Sequence, residues 1–400
     1  MLAYGIFLCL ALFQRVHSFK CVMYLTGQHN VVPELSLVSD VTHVALAFMP
    51  SSTFNRKDNN TSDWPLFTTV NEVRPKFSVG TSIIVAVGGW GDTHGFSEAA
   101  LTDDSRKLFA QNIKRMVEDT GADGVDVDWE YPGGNGDDYK QIPNSEKAWE
   151  VEAYPKLLEE IRKALAPEKL ITAAVPGLPR DMIAFTKDTI PTISASIDFF
   201  NVMTYDLMNR RDTITKHHTG LQLSIDSINA YLENGAPSEK LNLGFAYYIK
   251  WFKTSHLHDE ECAKHPIGCQ AALMEDPSTG ADLGQAGAFS WHDEVPSELA
   301  ASFARAKSSG EYDTVGGGYY FWDLEERIFW SWDTPEAIQK KFPAIMDEKQ
   351  LGGVFAWGLG EDAPEFAHLQ ATVASLQKYL PERPGDQWDT ACGRNSKDEL

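Results

Sequence analysis

The stretch DGVDVDWE, residues 123–130, places four acidic side chains in a segment that otherwise has the composition of a buried strand. Side chains alternate in direction along a strand, so Asp126, Asp128 and Glu130 point to one face. Val125, Val127 and Trp129 point to the other face, which suits packing against helices. The acidic face must then line the interior of a closed sheet. Glu130 comes last and is expected at the carboxyl-terminal rim, with Asp128 below it and Asp126 deeper.

The rest of the chain supplies the strands for such a closed sheet. Short β-branched or aromatic runs alternate with amphipathic helical patterns, which predicts an α/β fold of the (β/α)₈ TIM-barrel type. A doubly wound open sheet is the main competitor, but it would carry a Gly-rich phosphate loop after its first strand, and CVMYLTGQHN (21–30) has none. The eight predicted strands begin at Cys21, His43, Ser82, Gly124, Leu170, Asp198, Leu241 and Gly352. The clearest helical patterns cover 103–119, 149–166, 224–234 and 364–379.

One connection is much longer than the others, the one between the seventh and eighth strands. It predicts a small α+β insertion domain over 254–323, which leaves 19–253 and 324–385 as the catalytic barrel. An insertion after a barrel strand emerges at the carboxyl-terminal face, where active sites lie. We therefore expect this domain to form a wall of the cleft.

Both ends of the chain carry targeting signals. Residues 1–18 are predicted to be a secretory signal peptide, because the apolar run is too short to span a bilayer and small residues precede the expected cut. Residues 386–400 form a tail that ends in KDEL, an address read by the KDEL receptor for retention in the endoplasmic reticulum lumen. Without that retention the protein would be secreted. A buried amino-terminal helix and a coincidental or appended KDEL are the alternatives.

Cysteine usage agrees with an oxidising compartment. Cleavage of the signal peptide removes Cys9 and leaves four cysteines. Cys262 and Cys269 are close enough in the chain to close a small loop. Cys21 opens the first strand and Cys392 follows the last helix, so a bridge between them would join the termini at the bottom of the barrel. For this second pair, free buried thiols are the alternative.

Composition limits the partners of the 400-residue chain. Its formal net charge of −22 repels phosphate backbones and anionic headgroups, which argues against nucleic acid and favours a neutral or cationic substrate. We expect a monomer without membrane insertion. Overlapping sequons make Asn59 and Asn60 candidate glycosylation sites.

Three stacked carboxylates inside a barrel cannot all ionise cheaply. They must share protons or bind a metal. A shared proton raises at least one pKa, which suits a general acid at the rim. A metal site would need further ligands at neighbouring strand ends, and no histidine lies at the rims of the fourth to sixth strands. We therefore expect neither a metal nor another cofactor.

The acidic column also carries a resemblance. DGVDVDWE matches the DxxDxDxE signature of the glycoside hydrolase family 18 chitinases, which have this motif on the fourth strand of a TIM barrel. VAVGGW (85–90) looks like the family's SxGG motif, with Ala86 in place of Ser. NVMTYDLM (201–208) resembles its MxYD motif, and GGVFAWGLGED (352–362) its eighth-strand segment. GFAYYIKW (244–251) resembles its PxYGR stretch, but Ile249 and Lys250 replace the usual Gly and Arg. The predicted insertion resembles the chitinase insertion domain.

The resemblance implies a substrate-assisted, retaining hydrolysis of chitin or chito-oligosaccharides. Glu130 would protonate the glycosidic oxygen, and the N-acetyl oxygen of the sugar in subsite −1 would attack the anomeric carbon. Asp128 would hold the acetamido group, and Asp126 would share a proton with Asp128. Further implied residues are Tyr205 and Asp206 at the acetamido group, Met203 beside them, Trp357 under the −1 sugar, and Trp90, Tyr24, Phe48 and Tyr248 along the cleft.

Two other functions share parts of this pattern. An endo-β-N-acetylglucosaminidase that cuts N-glycan cores has the same motif, although the insertion domain favours a long linear polymer. A chitin-binding lectin without catalysis typically lacks the acidic residue that stands here as Glu130.

Overall fold

Eight parallel strands close into a barrel. The computed structural model describes residues 19–57 and 64–378. The barrel strands are β1 (Lys20–Thr26), β2 (His43–Met49), β3 (Ser82–Gly88), β4 (Gly124–Asp128), β5 (Leu170–Pro176), β6 (Phe199–Met203), β7 (Leu241–Ala246) and β13 (Gly353–Trp357). Their spatial order is β1-β13-β7-β6-β5-β4-β3-β2, so the predicted (β/α)₈ fold is confirmed.

Helices surround the barrel, and the four helical segments predicted from the sequence are all present. One of them, over Asp103–Thr120, begins where the Thr102 side chain accepts a hydrogen bond from the Ser105 backbone and ends at Gly121, whose φ is 69°. The helices are α1 (Val70–Val73), α2 (His94–Ala100), α3 (Asp103–Thr120), α4 (Asn144–Lys147), α5 (Glu150–Ala164), α6 (Ile190–Ser196), α7 (Leu221–Glu233), α8 (Asp259–Lys264), α9 (Ala300–Ser309), α10 (Pro335–Lys341) and α11 (Ala367–Gln377). Short 3₁₀ turns span Ser51–Asn55, Arg74–Lys76, Pro179–Asp181, Ser238–Lys240, Leu359–Glu361 and Pro364–Phe366, and Phe342–Asp347 is a π-helical turn. Within the described ranges, no helix combines the length and apolar character needed to cross a membrane.

The two faces of β4 separate as the alternation predicts. Val125, Val127 and Trp129 belong to the apolar layer between barrel and helices. On the inner face, Asp128 lies opposite Gly88 of β3. A Cβ at Gly88 would lie 2.2 Å from the Asp128 carbonyl oxygen, and the φ of Gly88 is +108°, so only glycine fits there. The close approach of β3 keeps the acidic column tightly enclosed.

The insertion after β7 is built around an antiparallel sheet. Its strands are β8 (Tyr248–Lys253), β9 (Ala286–Ser290), β10 (Glu311–Tyr312), β11 (Tyr319–Asp323) and β12 (Ile328–Trp332), in the order β10-β11-β12-β8-β9. The sheet therefore extends beyond the predicted bounds of 254–323 at both ends. At the amino-terminal end the reason is local, because only Tyr247 separates β7 from β8 and FAYYI (245–249) carries no turn residue at the junction.

The cysteine predictions have different outcomes. Cys262 and Cys269 form a disulfide within the insertion, as predicted. Cys21 is buried on β1, and burial raises the pKa of its thiol to about 12. Its predicted partner, Cys392, lies outside the described residues, as do Asn59, Asn60, the predicted signal peptide and the 386–400 tail.

A buried ion pair anchors the segment that returns from the insertion to the barrel. The Lys341 ammonium lies 2.7 Å from the Asp333 carboxylate, and both side chains are fully buried. Burial lowers the pKa of Lys341, and the charge of Asp333 opposes that effect. Loss of one partner would leave the other charge buried and uncompensated.

We predict that Lys341→Ala lowers the free energy of unfolding by about 3–5 kcal/mol, because Asp333 is left without its cation. Urea unfolding followed by tryptophan fluorescence measures the change. Lys114→Ala is the matched control, since its partner Glu118 is exposed and the loss should be much smaller. Equal destabilisation by the two substitutions would contradict the prediction.

Candidate active site

The deepest carboxylate, that of Asp126, is fully buried, and each of its two oxygens accepts a hydrogen bond. The Tyr24 hydroxyl donates to its Oδ2 at 2.7 Å, and the Thr172 hydroxyl donates to its Oδ1. Tyr24 in turn accepts a hydrogen bond of 3.0 Å from the Asn201 amide. Burial raises the pKa of Asp126 to about 6, although the two hydroxyl donors oppose the shift. Asp126 is thus held rigidly in one orientation.

Asp128 lies above Asp126 and faces the cleft. Asp128 is 3% exposed, and its Oδ1 atom has no hydrogen-bond partner among the described residues. Burial, followed by the charges of Glu130 and Asp126, raises the pKa of Asp128 well above its ordinary value. A buried oxygen without a partner is costly unless a bound molecule satisfies it. The position suits recognition of a polar group on a substrate.

Glu130 stands at the rim directly after β4 and lines the cleft. Burial raises its pKa to about 7. A hydrogen bond with Tyr131 opposes the shift, and the charges of Asp206 and Asp181 add to it. A carboxyl group with a pKa near neutrality keeps a substantial protonated fraction at physiological pH and can transfer that proton, so Glu130 has the properties of a general acid.

The sixth strand delivers a second polar group to the cleft. Asp206 accepts a hydrogen bond of 2.6 Å from the Tyr248 hydroxyl and lies 3.0 Å from the Lys250 ammonium. Burial alone would raise the pKa of Asp206, but Lys250 and His218 hold it well below its usual range. Lys250, noted in the sequence only as a departure from the family pattern, therefore supplies the charge that keeps Asp206 ionised.

Aromatic side chains line the cleft, whose volume is about 1200 Å³. Trp357 at the end of β13 stacks on Phe48, with ring centroids 5.4 Å apart and planes 20° apart. Trp90, after β3, is half-exposed and contacts Tyr131 edge-on at 6.3 Å. Such surfaces pack against the CH faces of sugar rings.

The structure brings together most of the predicted site residues. Tyr24 differs, because it is 1% exposed and lies below the cleft against Asp126 rather than along the cleft wall. Its strand continues for two further residues, so Tyr24 points into the barrel below the rim. The predicted residues that line the cleft are Asp128, Glu130, Met203, Tyr205, Asp206, Tyr248, Trp357, Trp90 and Phe48.

Several cleft residues were missed by the sequence analysis. Asp181 follows β5, Arg211 lies 5.5 Å above the Trp90 ring, and Glu361 follows β13. Asp293 reaches the cleft from the insertion domain. Asp181, Arg211 and Glu361 have only a position in a loop after a predicted strand as a signal, which many other polar residues share, and Asp293 has none because no strand is predicted in the insertion. Within residues 19–57 and 64–378, no group of three or more His, Cys, Asp or Glu side chains is arranged to hold a metal ion.

Comparisons with known proteins agree with this geometry. The chain is 26% identical over 371 residues to Chitinase A1 of Niallia circulans, covering 84% of this chain and 50% of that protein. It is 27% identical over 390 residues to Chitotriosidase-1 of Mus musculus, covering 90% of this chain and 77% of the relative. This chain thus spans half the length of the first relative.

A similar fold occurs in a family 18 chitinase from Cycas revoluta, solved as a mutant in complex with (GlcNAc)₄. Its TM-score is 0.65 at 20% identity, over 90% of this chain and 99% of that one. The sequence model of "Glycosyl hydrolases family 18" matches residues 20–362. Because this match spans the barrel, the insertion domain and the acidic column, the chain belongs to glycosyl hydrolase family 18.

Proposed function

We propose that this protein is a chitinase that hydrolyses β-1,4-linked N-acetylglucosamine chains with retention of the anomeric configuration. The observation that carries the proposal is Asp128, whose buried Oδ1 lacks a hydrogen-bond partner among the described residues and lies directly below Glu130. An acetamido N–H above Asp128 would satisfy that oxygen. The names of the relatives, Chitinase A1 and Chitotriosidase-1, point to the same substrate class.

In the proposed first step, Glu130 transfers its proton to the glycosidic oxygen, and the bond from the anomeric carbon to that oxygen breaks. The N-acetyl carbonyl oxygen of the −1 sugar attacks the same carbon and forms a cyclic oxazolinium ion. Asp128 accepts a hydrogen bond from the amide N–H, and when the proton that it shares with Asp126 lies on Asp126, its negative charge stabilises the oxazolinium ion. Water then opens the ring while Glu130 takes up a proton, and the second inversion restores the configuration.

A nucleophile supplied by the protein suits this cleft less well. Asp128 lies on the same strand as Glu130, so it does not face the acid across the scissile bond. Asp206 is bound by Tyr248 and Lys250, and it is needed with Tyr205 at the acetamido group. The attacking oxygen is therefore expected to come from the sugar itself.

The insertion domain favours a polymer over a compact N-glycan core. Ser290 and Asp293, at the end of β9, line the cleft and deepen one wall. A deep open groove suits a linear chain that extends past both ends of the site. The intact Glu130 argues for catalysis rather than lectin-type binding alone.

We further propose that the mature protein is a monomer held in the endoplasmic reticulum lumen by the KDEL receptor. The support is the pairing of an apolar amino-terminal segment with a terminal KDEL in the sequence. An enzyme held there would meet its substrate only after release from the cell or on chains within the secretory pathway.

We predict that Glu130→Gln lowers kcat on chitin oligomers by at least ~10²-fold, since it keeps the shape and removes the transferable proton. Oligosaccharide binding, measured by titration calorimetry, should persist. Glu118→Gln, on the exposed face of α3, is the matched control and should retain full turnover. Turnover by Glu130→Gln at the wild-type rate would refute the role of Glu130.

We predict that a fully deacetylated chitosan oligomer is essentially inert, because it lacks the attacking oxygen, although its positive charge favours binding to an acidic protein. Proton NMR of early products from the acetylated oligomer should show the β-anomer. An α-anomer at early times, or comparable cleavage of the two oligomers, would mean that another mechanism operates.

We predict that deletion of Lys397–Leu400 moves the protein from cell lysate to medium without a change in specific activity. Immunoblots of both fractions from cells that express each form provide the measurement. Replacement of the same four residues by alanine controls for tail length. If full-length and truncated proteins are secreted equally, retention does not depend on this segment.

A further inference from the structure

A buried carboxylate outside the acidic column lines the cleft on the side of β5. Asp181 ends the turn Pro179–Asp181, and its side chain is 5% exposed. Its Oδ1 atom has no hydrogen-bond partner among residues 19–57 and 64–378. Arg180 approaches only the other oxygen, with its Nε 3.9 Å from Oδ2. A buried carboxyl oxygen without a donor is costly, so a bound molecule is expected to supply one.

Two neighbouring loops fix the backbone beside Asp181. From the loop after β4, the Asn135 side-chain amide donates to the Arg180 carbonyl at 2.7 Å. The Arg180 guanidinium donates to Oδ1 of Asn209 at 3.0 Å and to Oδ1 of Asp212 at 3.1 Å, and both of these residues lie in the loop after β6. Because three consecutive loops are joined at this point, Asp181 is held against the cleft.

A cation and an aromatic ring lie on the same side of the cleft. The Arg211 guanidinium donates to the backbone carbonyls of Asn135 and Gly136, both at 2.9 Å. Its central carbon lies 3.8 Å from the centre of the Tyr139 ring and 5.5 Å from that of the Trp90 ring. Arg211 and Trp90 both line the cleft. A half-exposed ring beside fixed polar groups suits a sugar, which has apolar faces and a polar edge.

The order of the barrel strands places this group beyond the scissile bond. Glu130 follows β4 and Trp357 ends β13, and three strands separate β4 from β13 in either direction around the barrel. The two residues therefore stand on opposite sides of the barrel mouth. With the −1 sugar on Trp357 and its glycosidic oxygen at Glu130, the leaving sugar extends past Glu130 toward the loops after β4 and β5. Trp90 lies on this side, since its ring contacts Tyr131, the residue after the acid. Asp181 follows β5 and lies there too.

We propose that Asp181 is a substrate-binding residue for the reaction, which accepts a hydrogen bond from the leaving sugar as that sugar packs on Trp90. This inference rests on the proposed function. A hydroxyl or amide N–H of the leaving sugar satisfies the Oδ1 atom of Asp181. An aryl leaving group carries no such donor, so the contribution of Asp181 depends on what leaves. Asp181 thereby makes the cleft selective for a sugar on the leaving side of the bond.

Two substrates with different leaving groups test this role. A chitin tetramer cleaved at its middle bond and methylumbelliferyl chitobioside present the same two sugars before the bond. Asp181→Ala should lower kcat/KM for the tetramer by about tenfold or more, because it removes a hydrogen bond to a carboxylate. The same variant should cleave the aryl substrate at close to the wild-type rate, which also shows that it folds. Asp181→Asn keeps an acceptor oxygen and should show a smaller loss, again confined to the tetramer.

The matched control is Asp188→Ala, an exposed position in the same loop, which should cleave both substrates as the wild type does. A wild-type protein that cleaves neither substrate would refute the proposed function and the inference with it. If the wild type is active and Asp181→Ala loses both activities equally, Asp181 does not act through the leaving sugar and the inference is overturned. An unchanged kcat/KM of Asp181→Ala on the tetramer would overturn it as well.

Discussion

Three carboxylates on one face of a single buried strand can coexist only if each gains a donor, a proton or access to solvent. Asp126 gains two hydroxyl donors, from Tyr24 and Thr172. Burial and the charges of Glu130 and Asp126 raise the pKa of Asp128, so Asp128 holds a proton more readily than an exposed aspartate does. Glu130 reaches the rim of the cleft. The polar residues inside the barrel follow from this requirement, since an apolar interior would leave Asp126 unsatisfied.

The carboxyl groups of the cleft have different pKa values because their surroundings differ. Burial sets the pKa of Asp126 at about 6 and that of Glu130 at about 7. Asp206 is ionised because Lys250 and His218 outweigh the effect of burial. At the rim, Glu130 therefore keeps a protonated fraction near neutral pH, whereas Asp206 is ionised. In the proposed mechanism, this difference would allow one cleft to donate a proton and bind an acetamido group at the same pH.

The sequence predicts the barrel and its acidic column well because both depend on local periodicity. A period of two along β4 determines which residues face inward, and alternating strand and helix patterns determine the topology. The first insertion boundary is less accurate, because FAYYI (245–249) carries no turn residue between β7 and β8. The prediction that Tyr24 lines the cleft is wrong for a related reason. A side chain two residues before the end of a strand points into the barrel, but how far it lies below the rim depends on where the strand ends. Contacts such as Lys250 with Asp206 join residues far apart in sequence, and no local pattern predicts them.

The insertion domain completes the site as well as deepening it. β8 follows β7 almost directly, so Tyr248 and Lys250 reach Asp206 from the first strand of the inserted sheet. Just beyond the end of β9, the Trp291 backbone N–H donates to the Glu361 carbonyl in the segment after β13, and Asp293 contacts His29 in the loop after β1. Because Tyr248 lies opposite Ser290 in the register of β8 and β9, one end of the inserted sheet contacts both Asp206 and the segment after β13. A barrel without this sheet would keep the acidic column, which needs only barrel residues, but would lose the cation that ionises Asp206. The barrel strands alone supply the acidic column, whereas the inserted sheet supplies Lys250 and Tyr248, whose contacts favour the ionised form of Asp206.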